Sequence, residues 1–189
     1  MRMDGILFSY EIMPRDRGDI ALEEVSKLID SLSEMIPELK DAEIIFKPEG
    51  VKGLILVDLR KALEKATPER VDNIYEAIIH EIKRAFDEGE LLSISRVRII
   101  HKIVRTDINI IADESKYFVP FIKDKWKIEI HTKKIIDRME TIKKVATHFD
   151  KPVDLKNPRY VLHIEVIGSS LTVMYLVDTQ KVEKTIIKL

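Results

Sequence analysis

The chain predicts an α/β (α+β) fold in two domains, a ferredoxin-like βαββαβ domain over residues 1–94 and a second α/β domain over residues 95–189. Three observations carry this. Strand-like runs and helical stripes alternate through the first hundred residues in the order strand, helix, strand, strand, helix, strand, which is the ferredoxin-like pattern. A second strand, helix and hairpin follow from Trp126 onward. The charge also divides: residues 1–95 hold 13 Lys and Arg against 21 Asp and Glu, a balance of −8, whereas residues 96–189 hold 19 against 12, a balance of +7.

Taken in order, GILFSYEI (Gly5 to Ile12) is a β-branched and aromatic run, and Pro14 and Gly18 punctuate the loop after it. Leu22, Val25, Ile29, Leu32 and Ile36 recur at helical spacing, with Asp19 read as the N-cap and Pro37 as the stop. EIIF (Glu43 to Phe46) and LILVDL (Leu54 to Leu59), separated by a segment with Pro48, Gly50 and Gly53, form a hairpin signature. Thr67 and Pro68 supply a cap and a first-turn proline for the stripe Val71, Ile74, Ile78, Ile82 and Phe86, which ends near Gly89. A strand over Arg96 to Val104 completes the unit, and the domain boundary falls between about Gly89 and Asp107.

Between Thr106 and Lys125 the pattern lacks a clean period and carries Pro120, and a short helix is expected there. Trp126, Ile128 and Ile130 then alternate with Lys127, Glu129 and His131, giving a strand with one apolar face. Ile135, Met139, Ile142, Ala146 and Phe149 follow at helical spacing. Lys134 and Arg138 lie one turn apart on the polar flank of that helix, and Lys143 and Lys144 occupy other parts of its polar arc. In VDLKNP (Val153 to Pro158), Asn157 before proline favours a turn, Asp154 can accept nearby backbone amides, and Val153 and Leu155 are expected beneath the turn. Tyr160 to Ile167 and Leu171 to Val177 flank Gly168, Ser169 and Ser170 as a hairpin, while the tail from Asp178 to Leu189 stays unassigned.

Several function classes are excluded by composition and spacing. The chain has no cysteine, so disulfides, thiolate metal sites and cysteine nucleophiles are absent. His80, His101, His131, His148 and His163 show no HExxH or other ligand spacing, and no zinc or other cofactor is expected. GxGxxG, P-loop, GxSxG and deaminase signatures are also missing, and the paired acids Glu23 with Glu24 and Glu88 with Glu90 lack a companion nucleophile. A self-contained enzyme is not expected. The apolar runs are too short for a membrane span and no secretory pattern opens the chain, so a cytoplasmic protein is expected.

The segment from Arg96 to Tyr175, most strongly from Trp126 onward, resembles the THUMP domain. The resemblance rests on an aromatic-headed strand ending in basic residues (Trp126 to Lys134), a helix (Ile135 to Phe149), the VDLKNP turn and a β-branched strand (Val161 to Ile167). It implies a tRNA-binding module, usually fused to a methyltransferase, thiouridine synthase or pseudouridine synthase. None of these is recognisable here, and the chain looks most like stand-alone THUMP adapters that present tRNA for N4-acetylation of cytidine. The resemblance therefore implies tRNA and a separate RNA-modifying enzyme, such as an RNA cytidine acetyltransferase, as partners.

Within that segment the RNA-binding candidates are Lys125, Lys127, His131, Lys133, Lys134 and Arg138, joined by Lys143 and Lys144 and, flanking the turn, Lys156 and Arg159. Cations of this kind fix a phosphate backbone without reading bases. Trp126, at the head of an alternating strand, reads as a core residue rather than a base-stacking platform. The competing readings are a solvated charged face, an interaction module that docks a protein through its acidic N-terminal domain, an RNA-binding subunit of a methylating or thiolating enzyme, and an enzyme with an unfamiliar site.

Overall fold

The computed structural model describes residues 1–188. In chain order the elements are β1 (Gly5–Tyr10), α1 (Gly18–Met35), β2 (Glu43–Phe46), β3 (Leu54–Asp58), α2 (Arg60–Leu63), α3 (Pro68–Asp87), β4 (Ile94–Ile100), β5 (Lys102–Val104), α4 (Ile108–Ser115), β6 (Trp126–His131), α5 (Arg138–Ala146), β7 (Tyr160–Val166), β8 (Thr172–Asp178) and β9 (Ile186–Lys188). They form two compact units. The first is Met1–Ile100 with β9, and the second is His101–Thr185. Leu189, the last residue of the second expected domain, lies outside the described residues.

The first unit is a five-stranded antiparallel sheet in the order β2-β3-β1-β4-β9. Its first four strands have the ferredoxin-like order, so the predicted mixed α/β class holds. Alternate strand residues Ile6, Phe8, Ile55, Val57, Val97 and Ile99 share one core with Val25, Ile29 and Leu32 of α1 and Ile74, Ile78 and Ile82 of α3. Thr67 caps α3 by accepting the Arg70 amide at 3.2 Å, and Gly89 closes that helix with φ +72°. Asp19 is not the cap of α1. It sits in the first turn, where its charge suits the helix end, while Asp16 Oδ1 accepts the Gly18 amide at 2.9 Å. A Cβ on Gly18 would stand 2.8 Å from Tyr10 Oη and 2.9 Å from Phe46 Cζ, so any side chain there would force these rings to shift.

The expected strand from Arg96 to Val104 breaks at His101, and its two halves enter different sheets. His101 is buried. Its amide donates to Met174 O at 3.1 Å and its Nδ1 accepts from Leu176 N at 3.0 Å, two bonds that turn the chain from β4 into β5. Burial pulls the imidazole down to about 3, consistent with a neutral ring accepting at Nδ1. Nothing in the β-branched run around His101 signals this break.

The second unit is a four-stranded sheet in the order β5-β8-β7-β6. β6 and β7 are parallel, with α5 in the crossover, whereas β7 pairs antiparallel with β8 across Gly168–Ser170. Leu162, Ile164 and Val166 of β7 and Met174 and Leu176 of β8 are buried, as are Ile111 of α4 and Val145 of α5. Asp107 caps α4 by accepting the Asn109 and Ile110 amides. Pro120 falls in a 3-10 stretch that follows α4.

The predicted helix from Ile135 to Phe149 is shorter and rotated. Asp137 caps it, accepting the Glu140 amide at 2.8 Å, and the helical turns run only from Arg138 to Ala146. The buried side is Thr141 and Val145, so Ile135 and Met139 stay 43% and 55% exposed. Asp137 followed three residues later by Glu140 is the capping pattern that marked the true start. The tail's last strand, β9, pairs with Arg96, Val97 and Arg98 of β4. Counted by compact unit, the charge split narrows to 16 Lys and Arg against 21 Asp and Glu in the first and 16 against 12 in the second, because Arg96, Arg98 and Lys188 belong to the first.

Candidate nucleic-acid interface

β6 is an edge strand headed by Trp126, whose indole Nε1 donates to Lys151 O at 3.0 Å and whose ring packs on Phe149 with centroids 4.4 Å apart. Trp126 is buried, so it serves the core as expected. The same residue anchors the VDLKNP turn: Trp126 N donates to Pro152 O at 3.2 Å and Asp154 N donates to Trp126 O at 3.0 Å. Asp154 Oδ1 then accepts the Lys156 and Asn157 amides, both at 3.0 Å, and these bonds hold its carboxyl below the usual range. The expectation that Val153 and Leu155 lie beneath the turn is corrected. They are 60% and 73% exposed, because Trp126 and backbone bonds already fasten the loop from below.

After β6 the chain turns through Lys133 and Lys134, which take φ +50° and φ +60°. Two adjacent left-handed lysines cost on the order of 1–3 kcal/mol each, a strain that clusters at functional sites. The turn is pinned by Ile135 N on Thr132 O at 2.9 Å, and Lys133 Nζ donates to Ile167 O at 3.3 Å. Lys134 and Arg138 are therefore not one helical turn apart, since the helix begins only at Arg138. Lys134 belongs to the turn that precedes it.

The predicted cations fall into two sets. Lys127 bonds Glu129 at 2.8 Å, Lys144 reaches Asn109 at 2.8 Å and Glu140 at 3.5 Å, and Lys125 lies 4.0 Å from Asp154. Arg159 makes a two-pronged pair with Asp178 at 2.8 and 3.1 Å, which raises the guanidinium pKa and lowers that of the carboxyl. Among the described residues, Lys134, Arg138, Lys143 and Lys156 have exposed side chains with no ion pair. His131 is likewise exposed at the end of β6. Residues 127–131, Arg138 and Leu155 line a shallow groove of about 290 Å³ along the outer edge of β6. The structure thus joins Lys127, His131 and Arg138 at one groove, with Lys143 and Lys144 farther along α5.

Chemically, this rim offers exposed cations to an anion. No group of His, Asp and Glu able to hold a metal occurs among the described residues. No helix among them is long and apolar enough to cross a membrane. Residue pattern alone missed the left-handed lysine pair, the exposed Val153 and Leu155, and the open edge of β6. Lys-Lys and Val-x-Leu carry no signal for these features, whereas strand order depends on distant partners.

Fold, rather than sequence, connects the chain to known proteins. No protein-family model matches it, and no curated protein matches it. Among solved structures it is similar to PH1313 from Pyrococcus horikoshii OT3, with a TM-score of 0.57 and 14% identity, covering 93% of this chain and 55% of that one. It is also similar to a 4-thiouridine synthetase solved in complex with RNA and with ATP bound, with a TM-score of 0.52 and 12% identity, covering 94% of this chain and 42% of that one. The chain spans about half the length of the solved structures it matches. At these identities the class defined is one of fold: a mixed α/β protein of two units with the architecture of part of these larger proteins.

Proposed function

We propose that this chain is a non-catalytic tRNA-binding protein whose second unit is a THUMP domain, and that it presents tRNA to a separate modifying enzyme. N4-acetylation of cytidine is the leading reaction. The observation that carries the reading is the set of unpaired cations at the two ends of β6 and along α5: Lys134 in the left-handed turn, Arg138 at the helix start, Lys143 farther along α5, and Lys156 at the VDLKNP turn. Cations held away from internal acids remain available to phosphates. Two further supports are the Trp126–Lys134 strand with its VDLKNP turn and the likeness in fold to a synthetase solved with RNA.

Binding would be dominated by backbone electrostatics and shape rather than base reading. The test is a gel shift of total tRNA against DNA of equal charge, comparing the unaltered chain with the Lys133, Lys134 and Arg138 charge reversal. A tRNA complex lost on reversal supports the reading, and equal binding of DNA and tRNA refutes it. Nucleoside profiles of tRNA from cells lacking the chain then identify the reaction: loss of N4-acetylcytidine supports acetylation, while loss of a methylated or thiolated nucleoside assigns the chain to that enzyme instead. A modified nucleoside made by the protein alone with common cofactors would overturn the non-catalytic role.

A second reading draws on one feature of the first unit. Ile20, 54% exposed, borders a groove of about 350 Å³ with Leu28, Leu91 and the Glu23–Lys27 pair, an apolar surface rimmed by charges and suited to docking a protein. Retained partner binding after Ile20→Glu would count against it.

A further inference from the structure

The outer edge of β6 carries main-chain groups that no strand uses. Tyr160 N donates to Lys125 O at 3.1 Å, so the main-chain groups of Lys125 face β7. Those of Trp126 face the other way, toward Pro152 O and Asp154 N. Because a strand alternates the direction of these groups residue by residue, Ile128 and Ile130 also direct their N–H and C=O outward. The chain from Pro152 to Asp154 runs parallel to β6 and satisfies Trp126, then leaves at the VDLKNP turn. Beyond that point no strand covers the edge among the described residues.

We propose that this edge is a β-augmentation site for an extended acidic segment of a partner protein, paired with the main chain of Ile128 and Ile130. The two residues present alternating donors and acceptors about 7 Å apart, the repeat of another β-strand. A phosphate backbone, which offers acceptors only, uses half of them. Charge selects an acidic occupant: Glu129 is already neutralised by Lys127, whereas Arg138 at the groove has no ion pair among the described residues. Leu155, 73% exposed on the groove wall, gives the segment an apolar contact at its start. This surface shares Arg138 with the tRNA reading, but the proposal rests on the strand edge and is measured without RNA.

The probe is a blocked peptide of alternating valine and glutamate, about eight residues long, titrated into the labelled full chain while amide shifts and amide exchange are followed by NMR. Slowed exchange is expected at the Ile128 and Ile130 amides and not at Lys127 or Glu129, whose amides already pair with β7. The valine–lysine counterpart and a glutamate peptide N-methylated at alternate residues should bind at least about fivefold more weakly, the scale of one net hydrogen bond or one charge contact. Ile128→Pro removes an outward donor without touching the β7 ladder and should weaken the glutamate peptide by a similar factor. If that variant fails to fold, Arg138→Glu, an exposed substitution, should abolish the preference for glutamate over lysine. The proposal is overturned by no protection at Ile128 and Ile130, by equal binding of the two peptides, or by concentration-dependent protection without peptide, which would mean self-pairing. Protection of these two amides by tRNA but not by peptide would give the edge to RNA and equally overturn it.

Discussion

Removing the charges of Lys134 and Arg138 together should change the salt dependence of tRNA binding more than the substitution of any engaged pair. Both side chains are exposed and have no ion pair among the described residues, so each can replace a counterion on a phosphate. On a helical segment each lost contact lowers the slope of log K against log salt by about 0.9, so the Lys134→Ala, Arg138→Ala protein should lose about 1.8 units of slope. Each contact then contributes roughly threefold to the fall in affinity between 50 and 200 mM salt, and two contribute about tenfold. The control is Lys127→Ala with Arg159→Ala, whose cations are held by Glu129 and Asp178 and should change the slope by less than one unit. Filter binding at four salt concentrations, with circular dichroism to verify folding, reads both slopes. Equal slope changes in the two variants would refute the division into free and engaged cations, and an unchanged slope in the first would remove this rim from the interface.

Other substitutions test the frame that holds the rim. Trp126→Ala should cost about 3–5 kcal/mol in denaturant unfolding, because it empties a buried site and frees Lys151 O; a loss under 1 kcal/mol would refute its anchoring role. Gly18→Ala should cost about 1–3 kcal/mol, since its methyl would press on Tyr10 and Phe46, and a stabilised protein would show that α1 can shift freely. His101, held neutral by burial and pulled from 6.5 to about 3, binds a proton more readily when unfolded. Its contribution is therefore present above the ordinary histidine pKa and lost as pH falls through the window between those two values. From pH 6.5 to 5 stability should drop by about 2 kcal/mol. Melting curves of His101→Asn, which keeps a side-chain acceptor for Leu176 N, should lack that component.

Much of the first unit was legible because its helices bury regular stripes: Val25, Ile29 and Leu32, then Ile74, Ile78 and Ile82, are both predicted and observed in the core. The second unit's helix was misread at its start. Ile135 and Met139 fit the helical period, but the backbone spends two left-handed residues at Lys133 and Lys134 before Asp137 begins the helix, and period alone is blind to a turn made by lysines. His101 and β9 escaped for another reason. Each is defined by a partner far along the chain, Met174 and Leu176 for the first and β4 for the second, while local residues around both remain strand-like. At the site, residue type named the candidate cations, and the structure divides them into ion-paired and unpaired sets. Whether a given cation is free or spent on an internal acid can depend on strand register, as Arg159 reaching Asp178 at the end of β8 shows.

The return of β9 to the first sheet also shapes how the site must be studied. The chain leaves that sheet at Ile100 and re-enters it at Ile186, so the second unit is an insertion between β4 and β9 rather than a C-terminal appendage. A cut at residues 94 and 95 would carry β4 and β9 away together and strip Val97 and Ile99 from the core of Ile6 and Phe8. The fragment 95–189 would in turn expose those strands, creating an apolar edge open to pairing with other chains. A loss or gain of tRNA binding in such a fragment would therefore report on broken sheet pairing. Only substitutions within the intact chain, at Lys134, Arg138 and Lys156, separate the cationic rim from the fold that carries it.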